Sequence, residues 1–204
     1  MREQKGSDEG YIKFHCKLIK DGSPRSGKLT DLNKWRERLY DRGLIGMYDN
    51  GVGFGNISKR DGKEFIVSGT ATGGLKKLKP EHYAVVTKYS LEDNSLECRG
   101  RVTASSESLT HAAVYAASPG INAVIHIHSL KAWKALINKV PTTAVVPYGT
   151  PEMAYEMLRL FRETDVEKEG LIVMAGHREG ILTFGRNLDE AGGIILDRIV
   201  SLLQ

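Results

Sequence analysis

The amino-acid sequence predicts a single α/β domain built in layers. Segments with the two-residue period of strands and segments with the 3.6-residue period of helices are mixed along the whole chain, a mixture that is typical of layered α/β architectures. The 204 residues fall within the size range of one domain and contain no internal repeat, low-complexity run or interdomain linker. We therefore expect residues 1–204 to form one domain.

The first third of the chain predicts a strand, a helix and a second strand. Apolar residues occupy every second position within residues 11–19, the pattern of a half-buried strand. Thr30 or Asp31 can then cap a helix, which Gly43 ends. A further strand is expected over residues 64–67.

Two segments dense in glycine flank this second strand. They are residues 49–58, with the sequence DNGVGFGNIS, and residues 68–74, with the sequence SGTATGG. Hairpin turns are one interpretation of such segments. The other is an anion site, because glycine allows a backbone amide to approach a ligand closely.

The rest of the chain predicts four strands and four helices. The strands are expected over residues 82–88, 123–128, 171–175 and 181–184. The helices are expected up to Ala117, over residues 130–137, from Pro151 onward and over residues 188–202.

Composition argues against several classes of protein. Hydrophobic residues at 41% and charged residues at 26% are ordinary for a globular chain and exclude disorder or a disulfide scaffold. The net charge of +4 is spread along the chain without a basic stripe, so no nucleic-acid partner is expected. Cys16 and Cys98 form no CxxC spacing, which fits reduced thiols in a cytoplasmic protein.

No membrane association is expected either. The first ten residues, MREQKGSDEG, lack the apolar core of a secretion signal. Residues 108–130 contain no charged side chain and could span a bilayer by length. However, Pro119 and Gly120 interrupt this stretch, and His126 and His128 would be costly in lipid. It is therefore interpreted as a buried helix, a turn and a buried strand.

Three histidines form the candidate metal site. His126 and His128 lie two positions apart on a predicted strand, so both imidazoles point to the same face. His177 follows the predicted strand 171–175, at a strand end where loops commonly place functional groups. Three imidazoles with an open position are typical of catalytic zinc, and such sites also accept Mn²⁺, Co²⁺ or Fe²⁺.

Glu107 follows Ser105 and Ser106 at the predicted start of a helix. One interpretation is a helix cap, because an acidic side chain is stabilising at the positive end of the helix dipole. The other is catalytic, since free amides at a helix start can bind phosphate while a nearby carboxylate moves protons. Position alone does not choose between them.

Several short motifs follow each other in a characteristic order. In chain order they are Gly55-Asn56-Ile57-Ser58, Ser68-Gly69-Thr70, Thr72-Gly73-Gly74, Ser105-Ser106-Glu107, His126-Ile127-His128 and His177. In this order they resemble the class II aldolase and adducin family, which includes aldolases, epimerases and dehydratases of sugar phosphates. The resemblance covers residues 35–202. It implies a three-layer α/β/α fold with a central, mainly antiparallel sheet, and a homotetramer with active sites at subunit interfaces.

The resemblance also implies a role for each motif. The phosphate of a small sugar-like substrate would be held by Gly55, Asn56, Gly69, Thr70, Ser105 and Ser106. His126, His128 and His177 would hold the divalent metal, and Glu107 would move the proton. The expected reaction is cleavage of a phosphorylated ketose through an enediolate that the metal stabilises. A dehydratase or epimerase of the same family, or a non-catalytic adducin-like module, are the alternatives.

Two features differ from the usual pattern of this family. In Gly176-His177-Arg178-Glu179-Gly180, two residues separate the histidine from the glycine that usually follows it. Residues 137–147 are also too short to include the loop that carries a proton-donating tyrosine in the aldolases. Tyr148 is not an obvious substitute, which keeps dehydration and epimerisation open.

Overall fold

A computed structural model describes residues 10–203 of the chain. Residues 1–9 and residue 204 of the predicted domain 1–204 lie outside the described residues, and the single domain stays a prediction. None of the described helices is both long and apolar enough to cross a membrane.

Strands and helices are mixed along the chain, as the sequence predicts. The strands are β1 (His15–Ile19), β2 (Gly46–Met47), β3 (Gly53–Phe54), β4 (Asn56–Asp61), β5 (Glu64–Ser68), β6 (Tyr83–Ser90), β7 (Ser95–Gly100), β8 (Ala123–His128), β9 (Leu171–Val173) and β10 (Gly180–Gly185). The helices are α1 (Thr30–Tyr40), α2 (Ser108–Ala117), α3 (Leu130–Leu136), α4 (Pro151–Glu163), α5 (Val166–Glu169) and α6 (Leu188–Ile194).

Eight of the strands form one central sheet in the order β1-β7-β6-β5-β4-β8-β10-β9. Every neighbouring pair is antiparallel except β1 and β7, which are parallel. The short strands β2 and β3 pair separately as a hairpin. The predicted central, mainly antiparallel sheet is confirmed.

Two hydrophobic clusters pack against opposite faces of this sheet, which gives three layers. In β5, Phe65 and Val67 face the cluster that α2 and α4 cover, whereas Ile66 faces the cluster that α1, α3 and α6 cover. This alternation is the two-residue period of a strand buried on both faces. β8 is likewise buried along its whole length.

Some predicted elements differ from the observed ones. The sequence predicts a hairpin turn or an anion site for the glycine-dense segment 49–58, and its last residues begin β4, in the middle of the sheet. Strand β7 was not predicted. The predicted helix 188–202 is regular only as far as Ile194 and continues through a π-type turn and a 3₁₀ turn. Residues 108–130 form a helix, a turn and a strand, as interpreted.

Candidate metal centre and anion pocket

Strand β8 places His126 and His128 on the sheet face that α2 and α4 cover. Ile125 and Ile127 belong to the opposite cluster, so the two histidines share the face of Val124. The neighbouring strands add further residues: Asn56 of β4 lies opposite His126, and Gly180 of β10 lies opposite His128. The turn that precedes β10 therefore lies beside the histidine pair.

That turn carries His177 to the other two histidines. The ring centroid of His177 is 5.0 Å from that of His126 and 4.8 Å from that of His128. One ring nitrogen from each residue lies within 4.8 Å of the others. All three side chains are at least 97% buried. The three residues that the sequence singled out as ligands are thus brought together.

The donor set fits a divalent cation. The Nε2 atoms of His126 and His128 are 2.9 Å apart, close to the roughly 3.3 Å separation of two nitrogens bound tetrahedrally to zinc at about 2.0–2.1 Å. Burial, followed by the charges of His177 and His126, lowers the pKa of His128 well below its ordinary value. This imidazole is therefore neutral at physiological pH, as a metal ligand must be.

Glu107 lies at the start of α2 but does not cap it. Its side chain makes no capping hydrogen bond, and instead Oε1 lies 3.1 Å from Nδ1 of His177. The hydroxyl of Thr110 donates to Oε2 at 2.6 Å. Of the two interpretations of Glu107, this geometry favours the one in which the carboxylate belongs to the histidine cluster.

The Glu107 carboxylate is ionised at neutral pH. Burial by itself would raise its pKa, but the hydrogen bond with His177 and the charges of His177 and His126 outweigh burial and hold the pKa at about 2. A carboxylate of this kind accepts a proton only when the charge around it changes.

A pocket beside Glu107 and His126 contains all six residues expected to hold phosphate. Its lining includes Gly55, Asn56, Gly69, Thr70, Ser105 and Ser106, together with Glu107 and His126. His128 and His177 are not part of this lining. The pocket therefore reaches the histidine cluster from the side of His126.

Two separate turns are joined to form the pocket. Gly69 pairs with Ala104 in an isolated bridge, and the amide of Thr70 donates to the carbonyl of Thr103 at 2.9 Å. The segments 68–74 and 103–106 consequently lie side by side. Gly55 has a φ of +72°, and a Cβ atom there would lie 2.8 Å from Ile45, so only glycine fits this position without strain.

Arg36, which sequence reasoning missed, supports the glycine-rich turn from α1. It is 1% exposed, and its Nη2 donates to the carbonyls of Thr72 and Gly73 at 2.7 and 3.1 Å and of Leu75 at 2.8 Å. These hydrogen bonds fix the turn from its carbonyl side. The polar residue on the buried face of α1 was the available sequence signal.

Three further residues near the histidines were also missed. Tyr48 lies 2.8 Å from Nδ1 of His128 and also contacts Glu179. Tyr148, which the sequence did not favour as a functional tyrosine, stacks on His177 with ring centroids 4.6 Å apart. These contacts join loops that are distant in sequence, so no local pattern signals them.

Comparison with known protein families agrees with the resemblance found in the sequence. The sequence profile of the class II aldolase and adducin N-terminal domain matches residues 34–196. Among curated proteins, no significant sequence match is found.

Solved structures share the fold at low sequence identity. An L-fuculose 1-phosphate aldolase aligns with a TM-score of 0.66 and 20% identity, covering 88% of this chain and 84% of that chain. The L-fuculose-1-phosphate aldolase from Thermus thermophilus aligns with a TM-score of 0.61 and 22% identity, covering 88% and 92%. A sugar-phosphate aldolase from Thermotoga maritima aligns with a TM-score of 0.56 and 14% identity, covering 87% and 97%.

These structural alignments establish the fold, and the family profile covers most of the chain. The protein therefore belongs to the class II aldolase and adducin family.

Proposed function

We propose that this protein is a metal-dependent lyase of the aldolase type, acting on a small phosphorylated ketose in the cytoplasm. The observation that carries the proposal is the group of three buried histidines with a buried carboxylate 3.1 Å from one of them. Beside it lies a pocket lined by several glycines together with serine and threonine residues. Such a combination suits a substrate that carries both a carbonyl group and a phosphate.

His126, His128 and His177 would hold the cation, which we take to be Zn²⁺ or another divalent metal such as Mn²⁺, Co²⁺ or Fe²⁺. When bound, it supplies Lewis-acid stabilisation of the negative charge that develops on the substrate oxygens as a carbon–carbon bond breaks. Burial of all three imidazoles keeps water away from this charge.

Glu107 would move the proton that bond cleavage requires. Because its carboxylate is ionised, it accepts the proton of a substrate hydroxyl and later returns it to carbon. Thr110 holds one carboxylate oxygen, which fixes the direction of the other. A general base that is held in this way contributes rate through orientation as well as through basicity.

The pocket would bind the substrate phosphate without a positively charged lysine or arginine side chain. Its lining in the described residues includes no lysine or arginine, so amides and hydroxyls, including those of Ser105 and Ser106, would carry the recognition. Tyr11 and Met47, at 64% and 56% exposure, also line it. Exposed apolar side chains at a pocket mouth fit a homotetramer in which a second subunit covers the site.

A dehydratase or epimerase of the same family is the second candidate. The segment between α3 and α4 is short and has no inserted loop, and its Tyr148 stacks on His177. This segment thus lacks the inserted loop that carries the proton-donating tyrosine in the aldolases. A non-catalytic adducin-like module is disfavoured, because it would not require a buried histidine cluster.

Metal analysis and product analysis test the proposal together. Purified protein is expected to bind one divalent ion per chain and to cleave a phosphorylated ketose into two carbonyl products. The variant with both His126→Ala and His128→Ala should lose the ion and the turnover. Retention of the carbon chain in the product would indicate the dehydratase or epimerase, and turnover by metal-free protein would overturn both candidates.

A further inference from the structure

A chain of hydrogen bonds connects His128 with two residues outside the pocket. The Tyr48 hydroxyl lies 2.8 Å from His128 Nδ1 and 3.0 Å from Glu179 Oε2. Tyr48 and Glu179 are half-buried, whereas His128 is buried. Neither Tyr48 nor Glu179 lines the pocket.

The chemistry of the three groups fixes the direction of each hydrogen bond. A carboxylate can only accept, and a tyrosine hydroxyl has a single proton to donate. Tyr48 therefore donates to Glu179, and its oxygen accepts the Nδ1 proton of His128. This arrangement selects the His128 tautomer that has its proton on Nδ1 and a lone pair on Nε2. Nε2 is the atom that faces His126.

The backbone at Glu179 indicates that its side chain is needed there. Its φ is +75°, a strained conformation that is uncommon for residues other than glycine. The turn itself uses only the backbone of this residue, whose carbonyl accepts from the amide of Ser129 at 3.0 Å. A glycine would form the same turn with less strain, so the turn does not account for a glutamate.

Aromatic packing holds the same geometry. The ring of Phe54 lies 4.4 Å from that of Tyr48 and 5.4 Å from that of His128, measured between centroids. The β2–β3 hairpin, which carries Tyr48 and Phe54, thus holds the Tyr48 phenol against the imidazole of His128.

We propose that Glu179 and Tyr48 are positioning residues that fix the tautomer and orientation of His128 and present its Nε2 to a divalent cation. This inference rests on the metal centre of the proposed function. Partners of this kind behind a metal-binding histidine commonly contribute 10- to 100-fold in metal affinity. One of the two residues that separate His177 from Gly180, Glu179, would then have a purpose.

Zinc affinity of three variants tests the proposal. Tyr48→Phe and Glu179→Gly each break the chain of hydrogen bonds and should weaken Zn²⁺ binding about 10- to 100-fold in a chelator competition. Glu179→Gln keeps an acceptor oxygen and should stay within about threefold of wild type. Tyr155→Phe, at an exposed tyrosine of α4, is the matched control and should leave the affinity unchanged.

Folding stability separates positioning from a structural role. Because glycine relieves the positive φ, Glu179→Gly should unfold at the same temperature as the wild type or higher, even though it binds Zn²⁺ less tightly. If its affinity loss came only from a damaged fold, its unfolding temperature would fall together with the affinity. That result would overturn the proposal.

The tautomer of His128 gives a second readout that needs no metal. In metal-free wild type, ¹⁵N NMR should show the proton on Nδ1, and Tyr48→Phe should shift the population toward the other tautomer. A proton on Nε2 in the wild type would overturn the inference. Wild-type protein that binds no divalent ion overturns the proposed function, whereas equal Zn²⁺ affinity in the wild type and Tyr48→Phe overturns only the positioning role.

Discussion

At the scale of single residues, the contacts of the Glu107 side chain distinguish a catalytic role from a helix-capping role. A capping carboxylate would face the amides of α2, but this one lies against His177 with one oxygen held by Thr110. The group is charged, buried and oriented at once. A side chain that only caps a helix does not need to be charged, buried and oriented at the same time.

The variant Glu107→Gln tests this role directly. It keeps the size and the hydrogen bond from Thr110 but removes the basic oxygen, so turnover should fall about 10²- to 10⁴-fold. Bound metal per chain, measured on the same preparation, should stay near the wild-type value, because the three histidines are intact. A variant that retains more than a tenth of wild-type turnover would contradict the assignment.

A fourth buried histidine, His111, gives a prediction for pH. Burial, followed by the charge of His126, lowers the pKa of His111 to about 3, so its neutral form is favoured in the folded state. The stability that this provides is complete above the unfolded pKa of 6.5 and is lost as pH falls toward 3. The Nδ1 atom of His111 and the hydroxyl oxygen of Ser58 are 2.7 Å apart and form a hydrogen bond.

Unfolding of the metal-free protein in denaturant at several pH values measures this effect. Between pH 6 and pH 5, His111 should contribute a slope of about 1.4 kcal/mol per pH unit to the free energy of unfolding. The variant His111→Gln should show a slope smaller by that amount, whatever its stability at pH 7. Equal slopes in the two proteins would show that His111 does not titrate on unfolding.

Several residues of the site were predictable, and others were not. The period of two on β8 was enough to place His126 and His128 together, because a strand repeats on one face. Tyr48 and Glu179 meet only where the β2–β3 hairpin and the turn before β10 come together in the fold. A contact of this kind depends on tertiary structure, so sequence spacing carries no trace of it.

At the scale of elements, the strands that sequence analysis misjudged are those with few apolar residues. β4 has the sequence NISKRD and only Ile57 as an aliphatic residue, yet it lies between β5 and β8 in the sheet. β7 buries Leu96, Cys98 and Gly100 on one face, which is too weak an apolar pattern to distinguish from a polar loop. Pairing with neighbours made these segments into strands.

Helix α6 contains a matched pair of glycines for testing packing. A Cβ atom on Gly192 would overlap the ring of Trp35 from α1, whereas a Cβ atom on Gly193 would meet nothing within 4 Å. Gly192→Ala should therefore destabilise the fold by about 1–3 kcal/mol, the usual cost of overpacking. Gly193→Ala should stabilise it by about 0.5–1 kcal/mol, because alanine is the better helix former.

Thermal and denaturant unfolding of these two variants checks the packing of α1 against α6. The two glycines are adjacent in sequence, so helix propensity changes equally and the difference reports only the contact with Trp35. Equal effects of the two substitutions would mean that the α1–α6 interface can open without cost.

At the scale of the whole molecule, the exposed apolar residues of the pocket lining predict that the protein forms a homo-oligomer. Tyr11 and Met47 are the most exposed apolar side chains of the pocket lining, and a second subunit would cover them. Light scattering should give four times the chain mass of 22.6 kDa, and Met47→Lys should shift the protein toward smaller species. A wild type that scatters as a 22.6 kDa particle would contradict the predicted tetramer.

Metal binding should also stabilise the whole chain, because the three histidines come from two segments that are distant in sequence. His126 and His128 lie on a central strand, and His177 lies on the turn that joins β9 to β10. An ion held by all three binds the folded state and not the unfolded chain. At a free Zn²⁺ concentration about 100 times its dissociation constant, the expected gain in unfolding free energy is about 2.7 kcal/mol.

Thermal unfolding with and without chelator measures this gain, which for a chain of this size corresponds to a shift of roughly 5–11 °C. The variant His177→Ala should lose most of the shift while remaining folded, because His177 lies in a turn at the edge of the cluster and is not part of a strand. If chelator leaves the wild-type transition unchanged in protein shown to contain zinc, the ion is bound elsewhere, and the histidine cluster is not the metal centre.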